Sequence, residues 1–288
     1  MSDTRQGSRR GSLPPFAVIL GTNEIASAVA VRLFWAGYGV VMSHDPMPPV
    51  IRRRMAFHDA LYDDVASVAG VVAARVETSV EIRERLSAGV CVLVTELGLL
   101  DLIVIGAIDI LVDARMDKYQ VTPDLRRLGR LAVGVGPGFS SGLNCDVAVE
   151  TRPGIAGRVI TSGGTAPPDG VPSSLGGQQS ARFARAEFAG RWRTAIEIGT
   201  RVYKDFIIGY LGGTPVRAPF DGVVRGVARD GIEVAQGVKL LEIDPRGRAA
   251  CWTGIDKRAG AIAEGVARAM TRHRAEQPAP GAQVHLIR

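Results

Sequence analysis

Cysteine is scarce in this chain. There are three in 288 residues, Cys91, Cys145 and Cys251, widely separated and with no Cys-x-x-Cys pair. That argues against a disulfide scaffold and a structural zinc site. Histidine is equally sparse: His44, His58, His273 and His285. None stands at metal-ligand spacing from a carboxylate or cysteine, so no metal site is expected. No Ser/His/Asp or Cys/His constellation is visible either. Aromatic residues are only 6% of the chain, and there is no zinc finger, RNA-recognition motif or basic helix leading into heptads. No nucleic-acid partner is therefore expected. No uncharged apolar run reaches the roughly 18 residues that span a bilayer. The apolar stretch 97–112 is interrupted by Asp101 and Asp109 and reads as buried core. The polar, basic residues 1–11 lack a following apolar region and do not form a secretory signal. A cytoplasmic protein with no membrane partner is expected.

What is present supports a packed protein. Hydrophobic residues make up 46% of the chain and charged residues 22%. The net charge of +6 raises the weight of small anionic partners. Residues 16–20 form a continuous apolar run suited to a buried parallel strand. Residues 24–35 follow with helical spacing of Ile25, Val29 and Leu33, and 39–42 form a second strand. Further alternation predicts helices at 50–62 and 79–87. Strands are expected at 69–76, 90–94, 108–112 and 131–135. The expectation is an α/β Rossmann-like parallel sheet.

The composition changes near residue 150. Residues 162–184 form a linker rich in Gly, Ser and Pro. An internal repeat follows: Ala186-Glu187-Phe188-Ala189-Gly190 returns as Ala218-Pro219-Phe220-Asp221-Gly222. This predicts an all-β barrel-sandwich hybrid of the lipoyl/biotinyl type. The hairpin tip Leu211-Gly212-Gly213-Thr214 has no lysine to modify, so a swinging carrier is disfavoured. The predicted organisation is a disordered tail at 1–13, a Rossmann-like domain at 14–161, the linker at 162–184 and the β repeat at 185–248. A C-terminal helical segment at 249–274, amphipathic over 257–271, and a tail at 275–288 complete it.

Four places carry candidate ligand chemistry. The turn Gly21-Thr22-Asn23-Glu24-Ile25-Ala26 sits where a Rossmann fold binds pyrophosphate, with Gly21 and Asn23 as candidates. Only one glycine of the usual pattern remains, and Glu24 puts a negative charge at the helix start. Asp45, after the second strand, is placed to bind ribose hydroxyls. Arg53, within Arg52-Arg53-Arg54, is a candidate for anion capture or else part of a solvated helix face. Asp113 and Arg115 lie at a strand's carboxyl end, as a site pair or a structural ion pair. The loop 134–142 is the densest candidate: Gly136, Gly138 and Ser140 can turn N–H or hydroxyl donors toward an anion, unless it is simply a tight turn. Of the cysteines, only Cys145, just after this loop, merits a functional test.

Several segments together resemble a known family. They are Ile51-Arg52-Arg53-Arg54-Met55-Ala56-Phe57, Val112-Asp113-Ala114-Arg115-Met116, Val133-Gly134-Val135-Gly136-Pro137-Gly138-Phe139, Val149-Glu150-Thr151, Gly157-Arg158-Val159-Ile160, Pro215-Val216-Arg217-Ala218-Pro219 and Ile243-Asp244-Pro245-Arg246-Gly247. In this order the chain resembles accessory proteins of the selenium-dependent molybdenum hydroxylase system, relatives of xanthine dehydrogenase accessory factors. The resemblance implies cofactor maturation, a molybdopterin-like ligand, and docking on a hydroxylase or its maturation machinery. The chain departs from that family at Gly21–Ala26, usually a Gly-Gly-Gly-Asp-Leu-Ala run, and at Gly154-Ile155, usually Gly-His. Two alternatives stay open: an NAD(P)-dependent oxidoreductase using the first turn, and a non-catalytic assembly subunit with a degenerate ligand site. Whether it is an enzyme and whether it is a homo-oligomer are also left open.

Overall fold

The computed structural model describes residues 14–89, 91–117 and 121–276. The expected tail at 1–13 lies outside the described residues, as do Val90 of the expected fourth strand and most of the expected tail at 275–288. Eleven short strands belong to the first part. They are β1 Phe16–Leu20, β2 Gly39–Ser43, β3 Val65–Val68, β4 Val71–Arg75, β5 Val92–Thr95, β6 Ile110–Asp113, β7 Leu131–Val135, β8 Ser140–Ser141, β9 Val147–Val149, β10 Val159–Ile160 and β11 Gly163–Gly164. Nine of them form one sheet in the order β10-β9-β7-β6-β1-β2-β5-β4-β3, and β8 pairs with β11 apart from it. β1 is flanked in parallel by β2 and β6, which makes it the point where the strand order reverses.

Helix α1 (Glu24–Trp35) follows β1 directly. Shorter helices α2 (Ala60–Asp63), α3 (Ser79–Ala88) and α4 (Leu99–Leu102) lie between strands. The helix expected over 50–62 does not form. Its first half is an irregular segment with a single 3-10 turn at Arg53–Met55, and only α2 is helical. Pro48 and Pro49 precede it, and Arg52 and Arg53 are pulled into ion pairs instead of lying on a solvated helix face. The stretch 97–112 is not wholly buried: Leu100 and Val104 are exposed.

The second part has β12 Phe183–Arg185, β13 Gly190–Arg193, β14 Arg201–Val202, β15 Ile207–Leu211, β16 Thr214–Arg217, β17 Gly222–Val227, β18 Glu233–Val234 and β19 Lys239–Asp244. They form two four-stranded sheets, β12-β19-β17-β14 and β16-β15-β13-β18. Trp192, Ile208, Leu211, Val224, Leu241 and Ile243 from both sheets share one core. Helix α5 (Lys257–Glu276) then returns to the first part and packs on α1 and on β7, β9 and β10.

The fold expectation is therefore corrected. The large sheet is mixed rather than purely parallel: β3 pairs antiparallel with β4, and β10 antiparallel with β9. The tight turn at Ala69-Gly70, with φ of 50° and 80°, folds β3 straight back on β4, which a parallel crossover cannot do. Nor do the later strands form a barrel-sandwich hybrid of the lipoyl type. Their pairing stops at β12, β14, β16 and β18, so no closed barrel occurs among the described residues. No helix among them is long and apolar enough to cross a membrane.

Candidate functional site

The carboxyl ends of β1, β2, β6, β7 and β9 meet the first turns of α1 and α5. Two loops close tightly at the reversal point. Gly21 has φ of 103°, and a Cβ there would lie 3.1 Å from the Ala114 carbonyl and the Arg115 backbone. Asn23 then does two jobs. Its Oδ1 accepts from Ile25 N and Ala26 N, at 2.9 and 3.0 Å, and its Nδ2 donates to the Ala114 carbonyl at 2.7 Å. The helix N–H groups that a pyrophosphate would use are thus already satisfied. Glu24 adds a carboxylate paired with Arg52 at 2.9 Å. These contacts remove the physical basis for an NAD(P) site at the first turn.

Asp113 and Arg115 form a bidentate pair at 2.6–3.2 Å, with Asp113 buried. Asp45 joins them at 3.9 Å from Arg115 Nη1. The Arg115 guanidinium is raised from its ordinary value by hydrogen bonding to Asp113 and by the charges of Asp113 and Asp45. Gly136 adjoins this group, since a Cβ there would approach Met116 Sδ at 3.0 Å and Thr151 Oγ1 at 3.7 Å. Gly138 and Ser140 continue the loop, but its polar groups are used internally. Asn144 donates to the Gly138 carbonyl and accepts from Ser140 N. Gly134 has a packing role, because any Cβ there would run into the Phe139 ring. A narrow depression remains between Arg115, Met116, Thr122, Pro137 and Phe139.

The structure thus brings Gly21, Asn23, Asp45, Asp113, Arg115 and Gly136 together, with Gly138 and Ser140 alongside. Arg53 lies elsewhere. It donates to Asp59 at 2.6 Å and to the Val227 carbonyl at 3.0 Å, at the junction of the two parts. Cys145 is buried, and burial pushes its thiol up to about 11, so it is not a nucleophile at neutral pH.

Sequence reasoning missed two groups. The first is Thr22 with His44 and His58. Thr22 Oγ1 lies 3.0 Å from His58 Nδ1 and 3.4 Å from His44 Nδ1, and the two imidazoles are 5.1 Å apart. Burial, His44, Arg53 and Arg229 push His58 down to about 3. Burial also lowers His44, against the nearby charges of Glu96 and Asp45. The histidines look isolated in sequence because the threonine that joins them is 22 and 36 residues away.

The second is a charge cluster where α1, α5 and β19 meet. Glu242 is fully buried and accepts from Arg52 at 2.6 Å and Arg182 at 2.8 Å, with Arg225 at 3.8 Å. Burial alone would raise Glu242, but Arg52, Arg182 and Arg225 hold it down at about 2. Asp256 caps α5 through Ala259 N and pairs with Arg225 at 2.8 Å. Arg258, in the first turn of the same helix, is different. It donates Nε to the Thr151 carbonyl at 2.9 Å and has no ion pair among the described residues. Burial lowers its pKa, and Arg52 and Arg182 push the same way, against the charges of Glu24 and Asp256. No signal in the sequence marks it, because Thr151 is 107 residues away. No group of three or more His, Cys, Asp or Glu among the described residues is placed to hold a metal.

No protein-family model matches the chain. It is 35% identical over 262 residues to uncharacterized protein YqeB of Escherichia coli (strain K12), covering 88% of this chain and 47% of that protein. The chain thus spans about half the length of this curated relative. Two solved structures are similar at low level. One is an aspartoacylase family protein from Mesorhizobium loti, with 12% identity, TM-score 0.24, and 82% of this chain and 86% of that one covered. The other is a succinylglutamate desuccinylase/aspartoacylase from Rhodobacter sphaeroides, with 14% identity, TM-score 0.25, and 81% and 86% covered. At those scores neither likeness carries an argument about fold or chemistry. None of these matches points to the molybdenum hydroxylase accessory family, so that resemblance, and the maturation function drawn from it, are corrected: the chain is similar in sequence to YqeB of Escherichia coli and is not assigned to that family.

Proposed function

We propose that this chain binds a small molecule bearing a carboxylate or phosphate, held against Arg258 at the carboxyl edge of the parallel strands. The observation that carries this reading is the state of Arg258. The other guanidiniums of the junction, Arg52, Arg182 and Arg225, are matched to Glu24, Glu242 and Asp256. Arg258 is half-buried, pays for that burial with a lowered pKa, and spends only Nε on a carbonyl. A planar guanidinium with free Nη donors is suited to bidentate recognition of a planar or tetrahedral oxyanion. Its position at the strand ends, beside Thr151 and Gly136, is where open sheets of this kind bind ligands. The three cysteines are free and unpaired by disulfides, which supports placing this binding in the cytoplasm.

Thermal unfolding of the full chain, titrated with inorganic phosphate or succinate against chloride at matched ionic strength, tests the reading. Phosphate or succinate stabilises the wild type and leaves Arg258→Gln unmoved. Equal stabilisation of both proteins, or of neither, rejects it.

A further inference from the structure

We infer that His44 is a hydrogen-bond-accepting binding residue, whose bare Nε2 accepts from a hydroxyl or ammonium group on a small ligand seated at the carboxyl ends of β1 and β2. The inference is independent of Arg258 and rests on one proton count. Thr22 is buried, and its hydroxyl has a single hydrogen. Two imidazole Nδ1 atoms lie within reach of the same oxygen. The buried hydroxyl has no other acceptor within reach among the described residues, so its hydrogen is satisfied only by donation to one ring, and the oxygen accepts from the other. The two rings are therefore in opposite tautomers, and the ring that donates through Nδ1 keeps a bare Nε2.

Distance and charge say which ring that is. The shorter contact, 3.0 Å, goes to His58 and is the hydroxyl's donation. The longer one, 3.4 Å, is His44 Nδ1–H donating to Thr22 Oγ1. Burial, together with Arg53 and Arg229, keeps His58 a neutral ring, free to accept through Nδ1. Burial lowers His44 as well, but its neighbours Glu96 and Asp45 are anions rather than cations. His44 is also only half-buried, while His58 is buried. The ligand O–H or N–H keeps its proton and donates a hydrogen bond to the bare Nε2, on the side of the ring pair that Asp45 and Glu96 make electronegative. Thr22 and His58 act as positioning residues: they hold the tautomer and touch no ligand.

The test is nitrogen NMR of the ¹⁵N-labelled full chain at neutral pH, reading long-range couplings in each imidazole. The expected result is His44 protonated at Nδ1 and His58 protonated at Nε2. Thr22→Val loses the His44 preference and Thr22→Ser restores it. Titration with Tris, which offers both hydroxyl and ammonium hydrogens, shifts the His44 Nε2 resonance in wild type and not in Thr22→Val. Finding His44 protonated at Nε2 in the wild type overturns the inference, and this reading stands even if Thr22→Val does not fold. A His44 tautomer indifferent to Thr22→Val, or an unmoved Nε2 resonance under Tris, overturns it equally.

Discussion

Asn23 ties its own helix to the neighbouring strand end: the amide that caps α1 also donates to the Ala114 carbonyl at 2.7 Å. One side chain thus closes the crevice between β1 and β6 that this topology leaves open. Asn23→Ala removes the cap and frees that carbonyl. Loss of an Asn cap costs about 1–2 kcal/mol, with the clamp adding to it. Urea unfolding measures this, and an unchanged midpoint would remove Asn23 from its closing role.

Glu242 is the centre of the junction. Replacing it with Leu leaves Arg52, Arg182 and Arg225 without their shared carboxylate. Breaking a buried pair this way costs about 3–5 kcal/mol. Chemical denaturation of Glu242→Leu beside the conservative Glu242→Gln reads it. Near-wild-type stability in both would show that the arginines find other partners.

The same residue sets an acid limit. Its folded-state pKa, about 2, is below the ordinary 4.5. The stabilisation is complete above 4.5, where both folded and unfolded chains are ionised. It is lost as pH falls from 4.5 towards 2, because the unfolded chain takes up the proton first. Stability curves at pH 5, 4 and 3 show the decline for wild type, and Glu242→Gln lacks this component.

His58 acts in a different window. It is held at about 3, against an ordinary 6.5. Above 6.5 it is neutral in both states and has no effect on the pH dependence. As pH falls below 6.5 the unfolded chain binds a proton that the folded chain refuses, so stability drops. His58→Gln flattens the profile between 6.5 and the carboxylate region. A wild-type profile already flat there would mean that the ring accepts its proton in the folded state.

Gly134→Ala tests whether the glycine-rich loop is built for packing. The added methyl meets the Phe139 ring, and overpacking of this kind costs typically 1–3 kcal/mol. Gly142→Ala, with nothing near its Cβ but a φ of 80°, costs through backbone strain alone and by less. Calorimetry of the two variants separates the causes, and the reverse order would remove the packing role.

The local pattern of the sequence was a good guide where one element decides its own structure. The run 16–20 is a fully buried strand, 24–35 is a helix, and 131–135 is a buried strand, as the hydrophobic periods require. Patterning failed where partners from far along the chain decide. Residues 50–62 carry helix-compatible residues, yet Arg52 is drawn to Glu242, 190 residues on, and the segment stays irregular. The family resemblance failed for a related reason, since short glycine-rich and Asp-x-Arg segments here serve turns, ion pairs and ring packing.

The sequence by itself determined the composition limits and the buried strands, and it named candidates, of which Gly21, Asn23, Asp45, Asp113, Arg115 and Gly136 lie together in the fold while Arg53 does not. Tertiary structure decided which of them are spent on the protein itself and which donors remain. Hydrogen-bond and charge satisfaction depend on distance in space, not on separation in sequence. Only the folded chain shows Arg115 paired side-on with Asp113, Arg258 bonded through Nε to a carbonyl, and two distant histidines sharing one threonine hydroxyl.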